Sequence, residues 1–342
     1  MFRLCPDLFP RACSFLFAQW PDFEFPVFYT MWHMIFSSVA ALILLTYVNP
    51  APTGLPTVRQ FWEYKGALIP IAACTTLNAG LNNMSLTMVS LFVNQVIKAS
   101  SPLPAAAFSY AFAGKTFSRE VVGSVLLIVV GSMLANAHSV GAGGSGSSLT
   151  GVLLCATSLL ANALKPVLQM LAMSRDTAER PKLAPTVVLF YDCGVSFFFM
   201  LAFWLLSSER AASLAYLEDP SLTMVGLGII CAGASMAFGF NLAVYYFVAY
   251  TSALTTAIGA NGIKIFLISA SAMAAGVTDF LSWLGIFIVI VAIIVYAYLN
   301  YQEGQRSRPA SAGIVPPAPG GGGVHEITTE KSALVGGGGS RV

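Results

Sequence analysis

From about residue 27 to residue 301 the chain passes through one apolar run after another, each close to twenty residues long, with short polar interruptions between them. The hydrocarbon core of a bilayer is about 30 Å thick and a helix rises about 1.5 Å per residue, so roughly 20 apolar residues make one crossing. A soluble core could not absorb so many such runs. With 56% hydrophobic and only 9% charged residues, the chain also lacks the polar surface to cover one. Strand-built barrels are excluded too, because their crossings are about ten residues long and alternate in polarity. The expected fold is therefore an all-α polytopic membrane protein that partners the lipid bilayer.

Nine crossings are expected at about 27–49, 66–88, 91–114, 120–138, 150–173, 186–207, 222–247, 252–276 and 280–301. Residues 8–20, with the apolar piece ACSFLFA behind Pro6, Pro10 and Arg11, make a tenth, a short or incomplete first helix. Counted this way, the loop charges sort by side. Arg59, Lys65, Lys115, Arg119, Arg175, Arg180 and Lys182 fall on one side together with Arg306 and Arg308, while the other side holds Arg210 and the turn GAGGSGSS. Cytosolic loops carry the excess of Lys and Arg, so both termini are expected in the cytosol. The membrane domain is expected over 8–302, in halves of about 8–140 and 150–302. A disordered cytosolic tail follows over 303–342, where QEGQRSRPASAGIVPPAPGGGG is too polar and too rich in Gly and Pro to bury a core.

The formal net charge of +2, with no basic run, excludes a nucleic-acid partner. Six scattered cysteines show neither metal-ligand spacing nor a disulfide framework, and His33, His138 and His325 have no matching acids. No cofactor, metal or enzyme site is expected.

The chemistry lies in the few ionisable residues inside the apolar runs. Each costs a few kcal/mol in a membrane and usually faces an aqueous cavity or a partner. They are Lys98, in VNQVIKASSP behind Asn94 and Gln95; Lys264, three residues after Asn261; Lys165, just before Pro166; and Asp192. Three cations against one acid point to an anionic solute. Lys165 and Asp192 suit a structural ion pair equally well, or a position near the membrane interface.

Lys98 falls in the fourth crossing and Lys264 in the ninth, equivalent places in two halves of five. Each follows a hydroxyl residue by eight positions, Ser90 and Thr256, and each precedes a similar run, VVGSVLLIVVGSMLAN and WLGIFIVIVAIIVYAY. An odd number of crossings per half makes the two copies inverted, which predicts a ten-helix bundle of 5+5 inverted repeats. Such carriers hold their substrate near the midplane between the repeats.

VNQVIKASSP followed by AFSYAFAGKTFS, together with TSALTTAIGANGIKIF, FEFPVFYTMWHM and the last apolar run, resembles the sugar-phosphate and nucleotide-sugar transporter branch of the drug/metabolite transporter superfamily. The likeness spans most of residues 20–302. It implies ten helices in a five-plus-five inverted repeat and antiport of a phosphorylated sugar for phosphate, or of a nucleotide sugar for the nucleoside monophosphate. Lys98 and Lys264 match the branch's fourth- and ninth-helix lysines. Ile265 stands where plastid-type triose-phosphate translocators have an arginine, which favours the nucleotide-sugar side. LFYD, ending at Asp192, resembles the FYNN motif of GDP-sugar transporters, and GANGIK resembles their GALNK, with the lysine one residue later.

The resulting expectation is a Golgi antiporter for a nucleotide sugar, with a GDP-sugar as the sharper form, working by alternating access. Lys98 and Lys264 would neutralise the phosphates from opposite sides, and Lys165 would add a third contact. Without an anion the two cations would repel, which would couple switching to exchange. Asn94, Gln95 and Asn261 are further candidate contacts beside the lysines. Tyr191, Asn241 and Tyr245 are candidates for base or ribose, and the Asp192 carboxylate could accept the paired N–H donors of guanine. Three readings stay open: this one, a sugar-phosphate or organic-anion exchanger of the endoplasmic reticulum or another organelle, and a non-transporting membrane scaffold. A homodimer is compatible with all three.

Overall fold

The computed structural model describes residues 25–48, 51, 54–89, 91–135, 148–174, 182–218, 220–274 and 280–306, and every regular element among them is helical. The short first helix expected at 8–20 lies outside the described residues, as does the tail beyond Arg306. Helix α1 spans Pro26–Ile43 and runs on as a π-helical stretch, Leu44–Val48. Then come α2 (Val58–Leu86), α3 (Leu91–Ala99), α4 (Pro102–Ala113), α5 (Arg119–Ala135) and α6 (Leu149–Ser174). The chain continues through α7 (Pro185–Leu206), α8 (Glu209–Glu218), α9 (Pro220–Tyr250), α10 (Ala253–Ala274) and α11 (Phe280–Arg306).

The helix ends follow from local chemistry. Pro26, Pro102 and Pro185 open α1, α4 and α7, where a missing N–H costs nothing because first-turn amides lack an intrahelical acceptor. Thr57 caps α2, its hydroxyl accepting the Gln60 amide at 3.1 Å. Gly114 closes α4 at φ 64°, a left-handed conformation that costs glycine nothing.

Two findings depart from the expected crossings. The stretch 91–114 is not one helix but two, broken after Ala99, and a short helix, α8, stands between α7 and α9. The break has a covalent cause. In a continuous helix the carbonyl of Lys98 would take the amide of residue 102, which is proline and has none; it takes the Ser101 amide instead, at 3.2 Å.

Five of the described helical stretches are long and apolar enough to cross a bilayer: Pro26–Val48, α6, α7, Gly226–Tyr250 of α9 and Phe280–Glu303 of α11. Their outer faces carry large apolar side chains such as Phe198, Phe287 and Ile294, exposed by 66%, 64% and 63%, which suits lipid rather than water. The packed unit ends at Tyr301.

Inside it, α2 lies along α6 and α7, and α1 lies along α7. Leu68 and Ile71 of α2, Met170 and Met173 of α6, Val187 to Leu189 of α7 and Val248 of α9 form the largest apolar cluster. A second cluster joins Val121, Val125 and Ile128 of α5 to Leu254 and Ile258 of α10 and to Ile286 and Val289 of α11. Here α5 and α11 touch backbone to backbone: a Cβ on Gly285 would sit 2.7 Å from the Gly131 carbonyl oxygen, so both positions need glycine for this approach. Polar side chains collect where α2, α3, α6 and the middle of α10 meet.

Candidate functional site

The break after Ala99 places Lys98 in the last turn of a half-helix, where the negative end of the helix dipole favours a cation. Lys98 is 9% exposed. Its ammonium donates to the hydroxyl of Ser158 on α6 at 2.5 Å and to the amide oxygen of Asn78 on α2 at 2.9 Å. Ser158 is itself held to Asn78, with its hydroxyl 3.1 Å from the Asn78 amide oxygen and 3.2 Å from the Asn78 carbonyl. Both partners of Lys98 are neutral, so they solvate the charge without cancelling it.

This ammonium edges a cavity of about 230 Å³. Its wall is built from Asn78, Ala79 and Asn82 of α2, Asn94, Gln95 and Lys98 of α3, Asn162 of α6 and Lys264 of α10. It contains two lysines, five side-chain amides and no acid among the described residues. Asn94 is fixed within the wall, its amide nitrogen donating to Ser85 at 3.0 Å and lying 3.3 Å from both Asn82 and the Cys155 sulfur. The cavity offers an anion two ammonium groups, and it offers hydroxyl groups a set of amides that both donate and accept.

Of the residues singled out in the sequence, Lys98, Lys264, Asn94 and Gln95 meet in this cavity. Asn261 sits one turn before Lys264, 2% exposed, and its amide nitrogen donates to the carbonyl of Ala99 at 2.8 Å. Lys165, Asp192 and Tyr245 meet in a second, separate polar cluster. There the Asp192 carboxylate, 1% exposed, accepts from Thr75 at 2.8 Å, from Ser196 at 3.2 Å and from the Tyr245 hydroxyl, and pairs with the Lys165 ammonium at 3.0 Å. Lys165 also lies 5.5 Å from the centre of the Tyr245 ring. Tyr191 belongs to neither group: its hydroxyl donates to the Thr57 carbonyl at 2.8 Å and lies 3.0 Å from the Gln60 side chain. Asn241, on α9, is half-buried and does not line the cavity.

Sequence reasoning missed Asn78, Asn82, Asn162 and Ser158. A signal was present for the first two: amides four residues apart share one helix face, here within an otherwise apolar run.

The chain matches the model of the triose-phosphate transporter family over residues 19–297. It belongs to that family. The protein is accordingly an integral membrane transporter and not an enzyme. Among its relatives is a probable sugar phosphate/phosphate translocator of Arabidopsis thaliana, 27% identical over 257 residues; the match covers 75% of this chain and 66% of the translocator, so about a third of that relative lies outside it. UDP-uronic acid transporter 1 of the same plant is 26% identical over 252 residues, covering 72% of this chain and 76% of the relative. One crystallised chain superposes with a TM-score of 0.62 at 13% identity, over 86% of this chain and 95% of the other. That likeness shows the fold alone.

Proposed function

We propose that this family member exchanges a phosphorylated sugar for a smaller phosphate-bearing anion by alternating access. The observation that carries the reading is the placement of Lys98 and Lys264 on one small amide-lined cavity whose described lining holds no acid. A compact ammonium suits a phosphate oxygen as a point charge, and side-chain amides suit the hydroxyls of a sugar. With no anion between them the two lysines disfavour the compact occluded state, which ties reorientation to cargo and makes the carrier an exchanger. The ten-helix 5+5 inverted repeat supplies the two-sided access, with both termini cytosolic and the Golgi as the proposed membrane.

Within this class, sugar phosphate for phosphate is the form the geometry favours. The cavity, at about 230 Å³, is below the roughly 300–1,000 Å³ of sites that hold drug-sized ligands, and its described lining carries no aromatic ring on which a base could stack. Guanine reading by Asp192 loses its basis, because protein donors already occupy both carboxylate oxygens. Likeness to UDP-uronic acid transporter 1 supports the second form, nucleotide sugar for nucleoside monophosphate.

Counterflow tests both. Purified protein in proteoliposomes preloaded with phosphate, GMP or UMP is offered labelled triose phosphate, hexose phosphate, GDP-sugar and UDP-sugar, with Lys264→Ala as control. Phosphate-driven, Lys264-dependent uptake of a sugar phosphate is the expected result. Uptake of a nucleotide sugar driven only by its monophosphate selects the second form, and folded wild-type protein that exchanges nothing overturns the proposal.

A further inference from the structure

The break between α3 and α4 leaves the Ala99 carbonyl without the donor a continuous helix would give it, and the residue that serves it lies on the element carrying the other lysine. In an uninterrupted helix the carbonyl of Ala99 would accept the amide of Leu103. Here the Leu103 amide turns to Ser100 at 3.0 Å, because the proline at 102 forces the chain through a tighter turn. A buried carbonyl left unpaired is destabilising, because it has lost water without gaining a donor. The side chain of Asn261, reaching in from α10, removes that cost by donating to Ala99 at 2.8 Å, and the hydroxyl of Ser101 approaches its amide oxygen at 3.5 Å.

Asn261 is thus an interhelical cap on the C-terminus of α3. Its position gives the cap a consequence. Ala99 follows Lys98 directly, and Lys264 lies one helical turn beyond Asn261, so the bond ties together the two segments that bring lysines to the cavity. A shift of α10 against the α3 end must either break this bond or carry Lys98 with it. The side chain is 2% exposed and is not part of the cavity wall, so it is not placed to contact cargo in this conformation.

We propose that Asn261 is a positioning residue: by capping Ala99 it holds the Lys98 and Lys264 segments at the spacing that receives a phosphate group. The proposal rests on the reading of the cavity as an anion site. It makes a claim that a sugar-contacting role does not. Loss of the cap affects the phosphate pocket itself, so affinity falls by the same factor for every phosphate-bearing cargo, inorganic phosphate included. A residue that contacted sugar would leave inorganic phosphate untouched.

The test is exchange kinetics of the full-length protein in proteoliposomes, with homoexchange of inorganic phosphate and heteroexchange of sugar phosphate measured side by side. Asn261→Asp is the first variant, since it keeps the shape but replaces the donating NH2 with an acceptor that repels the Ala99 carbonyl. Asn261→Ala is the second, and size-exclusion profiles verify that both are folded. The expected result is a KM raised about tenfold, and equally, for both cargoes, with the maximal rate within about twofold. A rise confined to the sugar phosphate makes Asn261 a cargo contact and overturns the proposal, as does an unchanged KM for both. Failure of wild-type protein to exchange any phosphate would instead strike the reading of the cavity, so the two failures are distinguishable.

Discussion

Lys98 and Lys165 are both lysines within the same helical unit, the first buried and the second half-buried, yet their surroundings treat the charge in opposite ways. Lys165 is paired with Asp192 at 3.0 Å, and that carboxylate is itself saturated by Thr75, Ser196 and Tyr245. Among the described residues, Lys98 donates to the neutral oxygens of Asn78 and Ser158. The first arrangement is a neutral unit whose field largely cancels a short distance away. The second leaves a full positive charge at the edge of a cavity, where at an effective dielectric of about 20 an anion 4 Å away gains about 4 kcal/mol. Counting buried charges is therefore less informative than counting uncancelled ones. Among the described residues, three cations against one acid resolve into one ion pair, Lys165 with Asp192, and a Lys98 held by neutral groups at a cavity that Lys264 also lines.

The comparison can be broken at either site, and the larger effect is expected at the neutral pair. Asp192→Leu strands the Lys165 ammonium together with three hydroxyl donors and is expected to cost about 3–5 kcal/mol. The double variant Lys165→Met with Asp192→Leu removes both charges and should recover at least half of that loss. Thermal unfolding in detergent reads both. A double variant no more stable than the single one would show that the pair does not act as a unit. At the other site the smaller effect falls on transport: Lys98→Gln keeps a hydrogen-bonding group for Ser158 but loses the charge. Melting should stay close to wild type, while phosphate exchange drops about a hundredfold. Near-normal exchange in this variant would remove the distinction on which the functional reading stands.

The two lysines were legible because a charge deep in an apolar run has few structural uses, whereas the amides around them were not. Asn78, Asn82 and Asn162 could equally have served helix-to-helix hydrogen bonding, and only the rotation of α2 and α6 about their axes, set by packing, turns them to one cavity. The fold class followed from run length alone. The break after Ala99 was written in Pro102 and Pro104 but overridden by the continuous hydrophobicity of 91–114. Tyr191 and Asp192 show the opposite failure. Neighbours in sequence, they were both read as substrate contacts, yet one bonds to the start of α2 and the other to the middle of α2, α6 and α9, because successive helical residues diverge by about 100°. No sequence pattern could have matched Asn261 to Ala99, since the partner is a backbone carbonyl exposed only by the break.

The smallest effect tests the premise of the comparison, that neutral partners solvate a charge without cancelling it. Glu209, on α8 and outside the crossings, is the mirror image of Lys98: its carboxylate accepts the backbone amides of Val27 and Phe28 at 3.0 and 3.3 Å and pairs with no cation among the described residues. Burial pushes its carboxyl up from the ordinary range, with the two amides opposing. A carboxyl raised on folding binds its proton more tightly in the folded state. Its contribution is then complete below the unfolded value near 4.3 and is lost as pH rises through the folded one. Glu209→Gln retains an oxygen for the amides and removes the charge. The variant should melt about 1–2 °C higher at neutral pH and lack the wild-type decline that begins above about pH 4, the two proteins converging in acid. If Glu209→Gln instead melts well below wild type at neutral pH, the amides at the start of α1 and their helix dipole more than compensate a buried charge. Neutral partners could then do the same for Lys98, and its need for an anion would disappear.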